Sequence, residues 1–297
     1  MPGSRNIAQL LDLGERVLQD STHIFEDHDN RQEAEELLAF TLDVDLEEED
    51  LDLDGDVTQR QQERYLSMVA RRAGGEPFPF IVGRIEFYGL DLKVWPGAFV
   101  PRPSSELTVD RAVKRIGRKR SPVVVDVCSG AGPIALGIAD EVKSAQVWGL
   151  DIQEEGLEQG RKNARRLAIR NVHFRRGDMY EPLPEKLRGK VDAITGHVPY
   201  VPTGELEDLP SEVREHEPIF TLSDESEDGL GLMRKAVEGA VDWLAPGGWL
   251  LLEMSDDLSE TVREMCRGVG LEDHGHASDE DGLSIVVEAR KGTSQRG

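Results

Sequence analysis

Val191-Asp192-Ala193-Ile194-Thr195-Gly196-His197-Val198-Pro199-Tyr200 is an apolar run that opens into a turn carrying reactive groups. A segment with so little charge suits a parallel strand covered on both faces, and Gly196 and Pro199 constrain the backbone beyond it. The turn offers an imidazole, a phenol and backbone carbonyls. Open α/β sheets bind ligands beyond the carboxyl ends of their strands, so His197, Val198, Pro199 and Tyr200 are the first candidates for a catalytic site. Acids mark three further strand ends. Asp126 stands near the end of Val123–Val127, ahead of Cys128-Ser129-Gly130-Ala131-Gly132-Pro133. Asp151 closes Trp148-Gly149-Leu150-Asp151-Ile152, and Gly177-Asp178-Met179 follows a third strand.

Gly130 and Gly132 let a turn approach a ligand closely, and Pro133 suits the first position of a helix whose amino terminus supplies oriented N–H groups. Alone, Gly-Ala-Gly would suggest a dinucleotide site. A pyrophosphate would be repelled by Asp126. Asp151 can hold two ribose hydroxyls, and Asp178 can accept from an adenine amine beside an apolar wall of Ile152 and Met179. Three acids at successive strand ends suit a nucleoside with a cationic group, such as S-adenosylmethionine. Turn formation or capping is the plainer role for Asp151 and Asp178. Cys128 reads as packing or loop backbone, not as a nucleophile. Phe99 reads either as an adenine wall or as core.

The elements needed to position these groups follow from periodicity. Strands are expected at Val123–Val127, Val147–Leu150, Val172–Arg175, Ala193–Thr195, Trp249–Glu253 and Ser284–Glu288, with helical patterns between them, which predicts a doubly wound, largely parallel Rossmann-like sheet. Residues 1–75 form a small helical domain, with Ile7, Leu10, Leu11, Leu13 and Val17, then Ala34, Leu37, Leu38 and Leu42, at helix-face spacing and Thr58 as an N-cap. Residues 76–100, including Phe80–Gly83 and Phe87–Val94, read as a linking hairpin, and 101–297 as the α/β domain. Ser104 or Ser105 is expected to cap a helix through Leu107, Val109, Ala112 and Ile116, with a local Arg102–Glu106 pair. His274-Gly275-His276 reads as loop, and no histidine grouping suggests a metal.

The formal net charge of −23, from 58 acidic and 35 basic residues, opposes a surface that tracks nucleic-acid phosphates or anionic membranes. It reads as solubility, with selection of a cationic substrate as the other possibility. The first residues, Met1 to Arg5, carry no basic-then-apolar leader, no run is long enough to span a bilayer, and the two cysteines, Cys128 and Cys266, lie far apart. A cytoplasmic protein with reduced thiols is expected.

Together, Asp126 to Gly132, Asp151, Asp178 and the Pro199-Tyr200 turn resemble class I S-adenosylmethionine-dependent methyltransferases of the amino-methylating kind. Pro77–Gly83, Glu86–Leu90, Val100–Glu106, Glu212–Pro218, Glu227–Leu230 and Leu244–Gly248 narrow the resemblance to the HemK/PrmC release-factor glutamine N5-methyltransferases, over essentially Pro77 to Arg290. That family also carries an amino-terminal helical domain. The resemblance implies that Phe99, Pro101, Arg102, Asp126, Cys128, Ser129, Gly130, Gly132, Asp151, Ile152, Asp178, Met179 and His197 border the cofactor. It also implies that the family's Asn-Pro-Pro-Tyr turn grips substrate N–H groups through the Asn oxygen and the next carbonyl. Here the turn is His197-Val198-Pro199-Tyr200: the Val198 carbonyl is retained, but an imidazole replaces the amide. A planar cationic guanidinium fits that change, with Glu106, Glu205, Glu215 and Glu217 as candidate carboxylates beside Tyr200. The chain therefore also resembles the free L-arginine guanidino N-methyltransferases of streptozotocin-type natural-product biosynthesis, and methylation of free arginine is the leading expectation. Methylation of a release-factor glutamine, methylation of a flipped nucleic-acid base and a cofactor-binding paralogue without activity are the alternatives.

Overall fold

The computed structural model describes residues 5–24, 29–46, 48–279, 282 and 285–293, so the leader expectation at 1–4 and Ser284 of the expected last strand lie outside the described residues. The chain divides into two compact units, Met1–Arg84 with Glu207–Glu217, and Ile85–Leu206 with Pro218–Gly297.

The first unit is helical: α1 (Ile7–Gln19), α2 (Asn30–Leu42), α3 (Gln59–Ala73) and a short α4 (Phe78–Val82). Each of the three long helices starts on a side-chain cap. Asn6 and Thr58 form capping boxes with Gln9 and Gln61, and Asp29 accepts from the N–H groups of Arg31 and Gln32. Leu10, Leu11, Leu37, Leu38, Tyr65 and Val69 close a single core, with Leu13 and Val17 half-buried at its margin. Phe80–Val82, expected as a strand, is helical. Pro79 sits in the first turn, where its missing N–H costs nothing, and Gly83 ends the helix in the left-handed region. Arg72 is 1% exposed, and its guanidinium is ion-paired to Glu33 at 2.9 Å and to Glu212 at 2.7 Å, which ties Glu207–Glu217 into the helical core.

The second unit opens with the hairpin β1 (Arg84–Phe87) and β2 (Leu90–Lys93), turned through Tyr88 and Gly89, both at positive φ. It continues through α5 (Glu106–Ile116), β3 (Val123–Val127), α6 (Pro133–Glu141), β4 (Gln146–Asp151), α7 (Glu154–Arg166), β5 (Val172–Arg176) and β6 (Val191–His197). After α8 (Ser211–His216), which belongs to the helical unit, come α9 (Gly231–Trp243), β7 (Leu244–Met254), α10 (Asp256–Gly268), β8 (Glu272–Ser278) and β9 (Ile285–Arg290). The seven strands lie in the order β5-β4-β3-β6-β7-β9-β8, the first five parallel and β9 antiparallel to both of its neighbours, β7 and β8. Alternate residues along the strands feed two cores, Val125, Ile194 and Leu252 on one face and Val124, Ala193 and Leu251 on the other. Both faces are covered, which is why these strands read as unbroken apolar runs. Strand order reverses between β3 and β6, and such a switch point opens a crevice at the carboxyl ends.

β8 corrects the loop assignment of His274-Gly275-His276. Its residues alternate between exposed and half-buried positions and are mostly polar, so the strand has no apolar periodicity to reveal it. Its pairing to β9 at the sheet edge makes it a strand.

Candidate active site

A cavity of about 430 Å³ opens at the carboxyl ends of β3, β4 and β6, within the second unit and at its switch point. Phe99, Pro101, Arg102, Asp126, Cys128, Ser129, Gly130, Asp151, Ile152, Asp178 and Met179 line it, together with His197, Val198, Pro199 and Tyr200. Gly132 lies just behind, at φ 78°, and a Cβ there would stand 2.5 Å from the Phe174 ring. Gly130, at φ 53°, presents its N–H to Asp151 Oδ2 at 2.8 Å.

The acids have distinct surroundings. Asp126 is fully buried and accepts from Ser129 Oγ at 2.6 Å and Thr195 Oγ1 at 2.8 Å. Burial pushes its carboxyl up to about 7, the two hydroxyls pull it down, and neighbouring Asp151 raises it again. Asp151 is raised too, by burial, against the N–H groups of Gln153 and Gly130 that hold it. Those two N–H groups leave lone pairs on both oxygens for further donors. Asp178 is more open and ion-paired to Lys235. Ile152, 46% exposed, and buried Met179 supply an apolar wall. Burial and the three acids push the Cys128 thiol well up, which leaves it un-ionised and a poor nucleophile.

The other side of the cavity is built around His197. Its ring meets the Phe99 edge at 5.4 Å and stacks near-parallel on Tyr200 at 5.8 Å, while the Arg102 guanidinium lies 4.6 Å over Phe99. Burial raises the Tyr200 phenol, with Glu253 and Asp257 adding to the shift. Gly229, at φ 67°, packs so closely that a Cβ would stand 2.3 Å from the Tyr200 carbonyl oxygen.

Several expectations are corrected. Ser104 and Ser105 do not cap α5: their hydroxyls donate to Glu253 Oε1 at 3.4 and 3.0 Å, because a buried carboxylate is the stronger acceptor. Glu106 does not line the cavity. Its carboxylate accepts the Tyr88 N–H at 2.7 Å and so anchors the hairpin turn. Glu205 is exposed on a 3₁₀ turn, and Glu215 and Glu217 belong to the helical unit, Glu215 beside Arg214 at 3.5 Å. None of these four glutamates lines the cavity. The carboxylate beside His197 is Glu253, which the sequence reading passed over. Leu250-Leu251-Leu252-Glu253 nevertheless repeats the signal of an acid at the end of an apolar strand that marked Asp126 and Asp151.

The residues fit S-adenosylmethionine: a cavity of small-ligand size, spare acceptors on Asp151, an apolar wall and carboxylates for a cationic donor. A methyltransferase-domain family model matches residues 119–288, and a PrmC N-terminal domain model matches 9–83. The chain is 36% identical to the release factor glutamine methyltransferase of Geobacter sulfurreducens over 262 residues, 88% of this chain and 90% of that protein. It is 37% identical to the protein of that name from Streptomyces coelicolor over 228 residues, 76% of this chain and 78% of that one. Among solved structures, a methyltransferase from Pyrococcus furiosus aligns with TM-score 0.51 at 20% identity, over 79% of this chain and all of that one, and shows the shared fold. With matches that span both the helical and the α/β regions, the chain belongs to the HemK/PrmC-like class I S-adenosylmethionine-dependent methyltransferases.

Proposed function

We propose that the protein methylates the side-chain amide nitrogen of a glutamine in a protein release factor. The observation that carries this reading is the match of both the amino-terminal and the catalytic regions to relatives whose name specifies that substrate. The site is compatible with it. Val198 and Tyr200 line the cavity, and a backbone carbonyl and a flat ring are the kinds of group that can hold a planar nitrogen. The bound cofactor supplies an electrophilic methyl on a sulfonium, and the chain's own contribution is to orient the nitrogen. The free-arginine reading asked for a nearby glutamate, with Glu106, Glu205, Glu215 and Glu217 as candidates; none of these lines the cavity, and the names of the relatives favour the release-factor glutamine instead.

Incubation of purified protein with isotope-labelled methyl donor and either a release factor or free L-arginine tests the proposal. Label on one glutamine, located by peptide mass spectrometry, is the expected result. Labelled free arginine with an unmodified release factor would overturn it.

A further inference from the structure

Glu253 is 3% exposed and stands directly opposite His197 in the parallel register of β6 and β7. Its Oε1 accepts from Ser105 Oγ at 3.0 Å and Ser104 Oγ at 3.4 Å, its Oε2 from Thr108 Oγ1 at 3.0 Å, and His197 Nδ1 lies 3.5 Å from Oε1. Ser105 Oγ is also 3.4 Å from His197 Nδ1. A serine hydroxyl has one proton. With that proton on the nearer carboxylate, Ser105 can meet His197 only as an acceptor, and Glu253 can meet it only as an acceptor. Both neighbours therefore place the ring proton on Nδ1. Nε2 is left with a lone pair and no partner among the described residues, on a ring that lines the cavity and is held by Phe99 and Tyr200. The cavity that His197 lines also carries Arg102, Asp126, Cys128, Asp151, Asp178 and Tyr200, and Asp257 at the start of α10 acts on the Tyr200 phenol. Glu253 is the charged group in direct reach of the ring.

We infer that His197 Nε2 is the proton acceptor of the methyl transfer, with Glu253 and Ser105 as positioning residues that fix its tautomer. The inference rests on the reading of a planar N–H substrate. In the step, the nitrogen's electron pair forms the new N–C bond while the donor's S–C bond breaks with its pair going to sulfur. The N–H proton passes to Nε2, and the imidazolium formed is held by Glu253. An amide that remains methylated and neutral must shed that proton, and a side chain able to take it here is what an asparagine at this position would lack.

Two measurements on the full chain test this. Nitrogen-15 NMR of labelled histidine, with the demethylated cofactor product bound, should show His197 as the Nδ1–H tautomer, and Ser105→Ala with Glu253→Gln should mix the tautomers. An Nε2–H tautomer in the unsubstituted protein would overturn the inference. Single-turnover methylation should fall on the acid side as Nε2 is protonated. His197→Gln should lose about 10²-fold in rate together with that acid limb, and Glu253→Gln, which removes the carboxylate facing the ring, should displace the limb to lower pH. Slower variants whose pH profiles keep the original shape would reduce both residues to packing and sink the idea. Absence of transfer to any planar-nitrogen substrate would instead defeat the proposed function, while the tautomer measurement would still decide this one.

Discussion

Asp126 is buried, and its ionised form is held by the hydroxyls of Ser129 and Thr195 and by the Ala135 N–H against the cost of burial and the charge of Asp151. With its carboxyl pushed up to about 7, it is largely protonated at pH about 6 in the unliganded protein. A cationic ligand in the same cavity favours the ionised form and so lowers that value. Binding of S-adenosylmethionine should accordingly release a substantial fraction of a proton at pH about 6 and little at pH about 8.5, read by calorimetry in buffers of different ionisation enthalpy. Asp126→Asn should abolish the release, and its persistence in that variant would assign the proton elsewhere. At this scale the sequence was informative wherever an acid followed an apolar strand into a glycine turn. It misled where a side chain's partner was distant: Ser105 was read as a local cap, yet its acceptor is 148 residues away. Glu106 is likewise held by Tyr88 and not by Arg102. Linear spacing encodes neighbours on one helix, not across a sheet.

The turn after β6 is shaped by an element that contributes no reactive group. Gly229, in the loop before α9, sits at φ 67° against the Tyr200 carbonyl, so Gly229→Ala adds left-handed strain of about 1 kcal/mol and a clash that must push the 199–202 backbone away. The loop that holds Asp151 and Gly130 is separate from this contact. Gly229→Ala should therefore lower the methylation rate at least ~10-fold while donor affinity stays within about threefold, a split that follows from misplaced substrate groups. Equal losses in both would show that the turn also shapes the cofactor pocket. The parallel strands and their helices were legible because two-sided burial writes itself as continuous apolar runs. β8 was not, because an edge strand of polar residues keeps no such record, and α4 was not, because five residues are too few to show a period.

Over the whole molecule, 58 acids face 35 bases, a formal charge of −23 that no local pairing removes. Like charges on a compact surface repel one another and weaken the folded state relative to an expanded chain. Most of the ion pairs are partly exposed and contribute little, whereas the Arg111–Glu288–Arg115 cluster and Arg72 with Glu33 and Glu212 involve buried groups that salt screens weakly. Added salt thus removes more repulsion than attraction. Raising KCl from about 0.1 M, where screening acts over about 10 Å, to about 2 M should raise the unfolding temperature by at least ~5 °C, with the larger part of the gain below about 1 M. Two compact units need not melt together, so circular dichroism should be paired with calorimetry to assign each transition. A flat or falling melting temperature over that range would mean that the acidic surface carries no net repulsion. The excess of carboxylates would then have to be explained by solubility alone.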